Sequence, residues 1–170
     1  MTNSIKTFSN YFAILLLTSF LAACATAPTE TTSSASTSTS QSQVVGGVYV
    51  GNETIEMLAV DVPDRVFFAY DSYSLAASAQ TTLNKQVKWL KANPSVAIAV
   101  EGHADERGTR EYNLALGDRR ASSVKDYLMS QGISSNRIST ISYGKERPVK
   151  SGSNDTACAQ NRRSVSVRTN

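Results

Sequence analysis

Histidine and cysteine are almost missing from this chain: its 170 residues contain one His and two Cys. A single imidazole excludes a histidine-rich metal centre, and the nearby Asp105 and Glu106 do not have the spacing of a carboxylate metal site. Nor does His103 share a loop with any serine or with Cys158, so no nucleophile, base and orienting group come together and catalysis is disfavoured. Two cysteines exclude a disulfide framework. An excess of one sign of charge is lacking as well. The formal net charge of +3 is dispersed and has no interleaved aromatics beside it, which excludes a nucleic-acid surface. Gly102 and Gly108 flank a loop without the spacing of a phosphate cradle. No internal repeat is visible, and no metal or cofactor is expected.

The first apolar run, Tyr11 to Leu21 (YFAILLLTSFL), is too short to cross a hydrocarbon core of ~30 Å. With Lys6 before it and Ala22-Ala23 after it, residues 1–23 read as a secretory signal peptide. Leu21-Ala22-Ala23-Cys24 resembles the bacterial lipoprotein box, which implies lipidation of Cys24; acyl chains at ~0.8 kcal/mol per buried methylene would make the attachment permanent. By the same resemblance Ala25, standing where an Asp favours inner-membrane retention, implies the outer membrane, with the folded part in the periplasm. Cys158 is then left without an intramolecular partner, either as a small packed residue or as a site of intermolecular pairing. Residues 24–43 are nearly all Ser, Thr, Ala and Gln, too polar to repay ordering entropy, and read as a tether. A coil from Cys24 to Asp64 would span ~35 Å. Residues 44–63 are left open: VVGGVYVGN suits a short Gly-interrupted hairpin or strand, and IEMLAV has the apolar character to pack on a domain.

From Asp64 the periodicity is regular. Arg65 to Tyr70 reads as a buried strand. Ser78 to Ala92 places Leu83, Val87 and Leu90 on one helical face and stops at Asn93-Pro94. Val96 to Val100 is a second strand. Glu111 to Gln131 is a longer helix with Leu114, Ala121, Val124 and Leu128 on its apolar face and Gly132 at its stop. Arg137 to Tyr143 and Arg163 to Val167 alternate as third and fourth strands, with a turn or short helix between them. The expected domain, residues 64–168, is an α/β (α+β) sandwich in the order βαβαβ(α)β, a mixed four-stranded sheet packed by helices.

The stretch EGHADERGTREYNLALGDRR, residues 101–120, concentrates the charge. On the helical wheel Arg119 falls opposite the apolar face, whereas Arg120 lies with Leu116 and Asn113 at the border of core and solvent, where a packed stem can present a guanidinium fork. Asp105 sits past the second strand, before the helix, where ligands gather in α/β folds. Together Asp105 and Arg120 match a ligand carrying both an ammonium and a carboxylate; the alternative is that they pair with each other as a structural salt bridge. His103 is expected to orient the loop, and Asn161-Arg162-Arg163 to tie the last strand to the sheet by ion pairs.

Four ordered motifs, VFFAYDSYSL (66–75), VEGHADERGTREYNLALGDRRASSVKDYL (100–128), ISYGKERP (141–148) and AQNRRSV (159–165), resemble the OmpA-like peptidoglycan-binding domain family. More narrowly they are similar to its lipid-anchored branch, the peptidoglycan-associated lipoproteins. The resemblance implies non-covalent binding of the peptidoglycan peptide stem, with the side-chain ammonium and carboxylate of diaminopimelate held at Asp105 and Arg120. It further implies that Asp71, Tyr70, Ser72, Arg107, Asn113 and Leu116 line the site, and that the partners are TolB and other Tol components. Tyr70-Asp71-Ser72 stands where the narrower family often has Phe-Asp-Lys, which puts a side-chain contact by Ser72 in doubt. Two other roles stay open: an OmpA-like lipoprotein without Tol partners, and a peptidoglycan-recognising accessory of a wall-modifying enzyme.

Overall fold

The computed structural model describes residues 44–49 and 57–170. The signal peptide, Cys24 and the tether lie outside the described residues. Gly46 and Gly47 take φ of 58° and 77°, the left-handed pair that lets two residues reverse a twisted hairpin. They join β1 (Val44–Val45) to an antiparallel β2 (Val48–Tyr49). A second hairpin pairs β3 (Met57–Ala59) with β4 (Val62–Pro63). The stretch that the sequence leaves open thus contributes two hairpins, and Leu58 and Val62 from it enter the main core.

The rest is an α/β sandwich. β5 (Arg65–Phe67), β6 (Ile98–His103), β7 (Ile138–Gly144) and β8 (Arg163–Arg168) make one sheet in the order β5-β8-β6-β7. β6 and β7 are parallel, joined through α2 (Arg110–Ser130), and β8 runs antiparallel to both β5 and β6. α1 (Ala77–Ala92) and α3 (Asp155–Asn161) complete the order. Strand alternation turns Val66, Ile98, Val100 and Ile138 to one face, where they pack with Leu83, Val87 and Leu90 of α1 and Ala121, Val124 and Leu128 of α2. β5 ends three residues earlier than the apolar pattern predicts, because the chain beyond Phe67 is needed for a turn at the site. Among the described residues no helix is long and apolar enough to cross a membrane.

Polar groups fix the joints. The carbonyls at the end of α1 are received by Arg137, which donates to Leu90, Asn93 and Val96 at 3.0, 2.8 and 2.7 Å. Fully buried Gln86 donates to the Pro63 carbonyl and accepts from the Ser166 hydroxyl, tying α1 to β4 and β8. At the end of α2, Gly132 takes φ 88° and Ile133 N donates to the Leu128 carbonyl, a glycine-terminated stop.

α2 meets the sheet backbone to backbone. A Cβ on Gly102 would lie 1.8 Å from the Gly117 carbonyl oxygen, and one on Gly117 would lie 2.4 Å from Ser142 Oγ. This approach corrects the wheel. The face of α2 that turns inward is Asn113, Leu116, Gly117, Arg120, Ala121, Val124 and Leu128, while Leu114 is 40% exposed. Gly117, which hydropathy does not score as a core residue, is the point of closest approach, and it rotates the first half of the helix.

The opposite face of β6 carries His103, only 1% exposed and stacked on Tyr143 at 5.5 Å. Neither ring nitrogen has a hydrogen-bond partner, and Glu101 Oε2 stands 3.6 Å from Nε2, beyond bonding range. Burial first, then the charges of Arg163, Arg147 and Arg65, pulls the imidazole pKa down to about 3. The side chain is therefore a neutral packing element.

Two outcomes are expected. Gly117→Ala forces helix and sheet apart and should cost about 3 kcal/mol in urea unfolding. Because the folded pKa of His103 lies below its unfolded value of ~6.5, its contribution is complete above that pH and declines as pH falls towards about 3. Stability should thus drop by up to ~1.4 kcal/mol per unit between pH 6.5 and 4.5, and His103→Phe should flatten that slope.

Candidate functional site

The site begins where β5 stops. Phe68 N still donates to the Arg162 carbonyl at 2.9 Å, but the next residues turn, with Ser72 N returning to the Ala69 carbonyl and Asp71 at φ 50°. Across from this turn, β6 ends at His103 and the loop Ala104 to Thr109 leads into α2. Thr109 caps that helix by accepting from Tyr112 N at 3.2 Å.

Arg120 joins the two sides. Its guanidinium donates to the carbonyls of Ser72 (2.8 Å), His103 (2.8 Å) and Ala69 (3.2 Å), and it lies 5.2 Å from the centre of the Phe68 ring. The side chain is 0% exposed. Here the structure corrects the border position expected from the wheel: the fork does not project towards solvent but is occupied by backbone oxygens, because Gly117 brings this face of α2 onto the sheet. Burial, with the charge of Arg162 second, lowers its pKa to about 10, so it stays cationic at neutral pH.

Asp105 does not pair with Arg120. Its Oδ2 accepts from Arg107 Nη2 (2.7 Å) and Nε (3.2 Å) and from Arg162 Nη1 (3.1 Å), while Oδ1 accepts from Arg107 N (3.3 Å). Burial pushes its carboxyl pKa up, but the bonds from Arg107 and Arg162 outweigh this and hold it below the usual range. Arg162 also donates to the carbonyls of Phe68 (3.1 Å) and Gly47 (2.7 Å). It therefore ties β5, the first hairpin and Asp105 together rather than only securing the last strand. Arg107 instead lies over the Tyr70 ring at 4.3 Å, and its carbonyl accepts from Asn113 Nδ2.

These groups surround a cleft of about 190 Å³. Of the residues expected from sequence, Tyr70, Asp71, Asp105, Arg107, Asn113, Leu116 and Arg120 line it. Ser72 does not: its hydroxyl accepts from Ser74 N, and only its carbonyl faces Arg120. Gly108, Tyr112 and Arg162 complete the wall. The Tyr112 hydroxyl donates to Asp71 across the mouth, a contact that the sequence signals only through the helical neighbourhood of residues 112, 113 and 116. Three guanidinium groups face two carboxylates, so the cleft is net cationic, and its size suits one short polar side chain rather than a whole peptide. Exposed Arg119 takes no part. Cys158, a residue of α3, is 1% exposed.

The OmpA family matches residues 67–162. Peptidoglycan-associated lipoproteins are similar to this chain: that of Brucella melitensis is 57% identical over 108 residues, 64% of each protein. That of Legionella pneumophila is 42% identical over 117 residues, 68% of this chain and 66% of that one. The alignments thus span just under two thirds of these curated relatives. Among solved structures, the peptidoglycan-associated lipoprotein of Burkholderia pseudomallei is 40% identical with a TM-score of 0.61, covering 62% of this chain and 90% of that one. The C-terminal domain of Helicobacter pylori MotB, 21% identical with a TM-score of 0.59, shares the fold. With the family matching more than half of its length, the chain belongs to the OmpA family.

Proposed function

We propose that this chain is an outer-membrane lipoprotein that binds the peptide stem of peptidoglycan non-covalently and so tethers the membrane to the wall. The observation that carries this reading is Asp105: a carboxylate at the wall of a small, net cationic cleft, where Arg107 and Arg162 already pair with it. A diaminopimelate side chain ends in an ammonium and a carboxylate on one carbon. The ammonium suits Asp105, the carboxylate suits the arginine side, and Leu116 packs on the methylenes. The names of the relatives support the same assignment. A binding rather than a catalytic role is supported by the lining itself, which includes no serine, cysteine or histidine and whose hydroxyls are the phenols of Tyr70 and Tyr112, the latter donating to Asp71. In this reading Cys24 carries the lipid, residues 24–43 bridge the periplasm to the domain at 64–168, and TolB with other Tol components are the protein partners in envelope integrity and division.

Two experiments test it. In pull-downs with purified sacculi, Asp105→Ala should weaken retention by one to two decades, the loss of about 1.5 to 3 kcal/mol from a charge-assisted contact, and Arg119→Ala should leave it unchanged. Arg120→Ala should abolish retention and also lower the melting temperature, since it removes the guanidinium from the carbonyls of Ser72, His103 and Ala69, of which Ala69 keeps a bond from Ser72 N. Equal retention of wild type and Asp105→Ala would falsify the site. Separately, Cys24→Ser should move the protein from the membrane fraction to the soluble periplasmic fraction.

A further inference from the structure

The two guanidinium groups on Asp105 are held very differently. Arg162 has a side chain 5% exposed and two further bonds, to the Phe68 and Gly47 carbonyls. Arg107 has a side chain 41% exposed, and Asp105 is its one side-chain hydrogen-bond acceptor among the described residues. Its backbone is fixed, with N on Asp105 Oδ1 and the carbonyl on Asn113 Nδ2. Rotation of the side chain alone can therefore lift the guanidinium off Asp105, along the face of the exposed Tyr70 ring on which it already lies. Arg107 stands between Asp105 and solvent, where a cation arriving from outside would have to bind.

A charge balance follows. An incoming ammonium that takes Asp105 Oδ2 displaces a bidentate guanidinium, and the displaced group then needs an anion. The other carboxylate lining the cleft, Asp71, accepts the Tyr112 hydroxyl on Oδ1 and makes no ion pair with Arg107 among the described residues. A ligand with an ammonium alone exchanges one cation for another and leaves Arg107 unmatched. A ligand with an ammonium and a carboxylate keeps both pairs: its ammonium meets Asp105 and its carboxylate meets Arg107.

We propose that Arg107 is the specificity-determining residue of the cleft. Its guanidinium, seated on Asp105, yields to a ligand's ammonium only when the same ligand brings a carboxylate to receive it. The cleft thereby reads the zwitterion as a unit and discriminates against stems that end in an ammonium alone. This inference rests on the cleft being the stem-binding site.

The test uses the full chain in detergent, titrated calorimetrically with two peptides identical except for diaminopimelate or lysine at the third position. Wild type should prefer the diaminopimelate peptide at least tenfold. Arg107→Gln should reduce that preference at least fivefold, chiefly through tighter binding of the lysine peptide, and Arg107→Lys should restore most of it. A preference unchanged in Arg107→Gln, or an equal loss for both peptides, overturns the exchange and leaves Arg107 an ordinary contact or a structural group. The underlying site is judged by a separate arm: if wild type binds neither peptide, or if Asp105→Ala binds the diaminopimelate peptide as tightly as wild type, the stem-binding reading itself fails.

Discussion

One buried guanidinium holds this site in shape. Arg120 receives carbonyls from the turn after β5 and from the end of β6, segments far apart in sequence that share no strand pairing at that point. Without a donor there, Ala69 would keep only its bond from Ser72 N and the carbonyls of Ser72 and His103 would lose their guanidinium partner, at a cost of about 1 to 3 kcal/mol for each buried oxygen left unpaired. An ammonium could not replace it, since a single nitrogen does not present a planar fork to oxygens on two sides. Everything functional in the cleft is arranged around that fixed point. Asp105 follows His103 by two residues, and Tyr70 and Asp71 lie between the two carbonyls of the turn.

The position of Arg120 depends in turn on the absence of side chains elsewhere. Gly102 and Gly117 let α2 touch β6 through main chain alone, and Gly144 lets the helix start close to the end of β7, where a Cβ would lie 2.9 Å from Leu114 N. A helix kept at ordinary side-chain distance would leave the guanidinium short of the strand end. Burying a charge at this depth is expensive, and three carbonyl bonds together with Asp105 nearby offset that cost.

Much of this was legible in the sequence because periodicity reports packing. The four strands of the main sheet, both long helices and the stops at Asn93 and Gly132 follow from apolar spacing and breakers. The distinction between Arg119 and Arg120 was also legible. What hydropathy could not show was the direction of the fork, because Gly117 counts as neutral on a wheel although it sets the orientation of the helix. The same neutrality puts Leu114 on the apolar face of the wheel, although it is exposed in the fold. From its neighbours Arg162 reads as a strand anchor: nothing local to AQNRRSV reports that Asp105, 57 residues away, is its partner. The hairpin at Gly46-Gly47 was visible as a turn signal, but its docking was not, since that depends on Val48 meeting Phe67 and Ala159.

The bond from Arg162 to the Gly47 carbonyl has a mechanical consequence. Any pull on the chain ahead of Val44 is delivered to the domain through the first hairpin, and one of that hairpin's fastenings is the guanidinium that also steadies Asp105. Traction and recognition therefore converge on one side chain. A load applied there would bear on the wall of the cleft, so the shape of the cleft and the tension on the chain are not independent quantities.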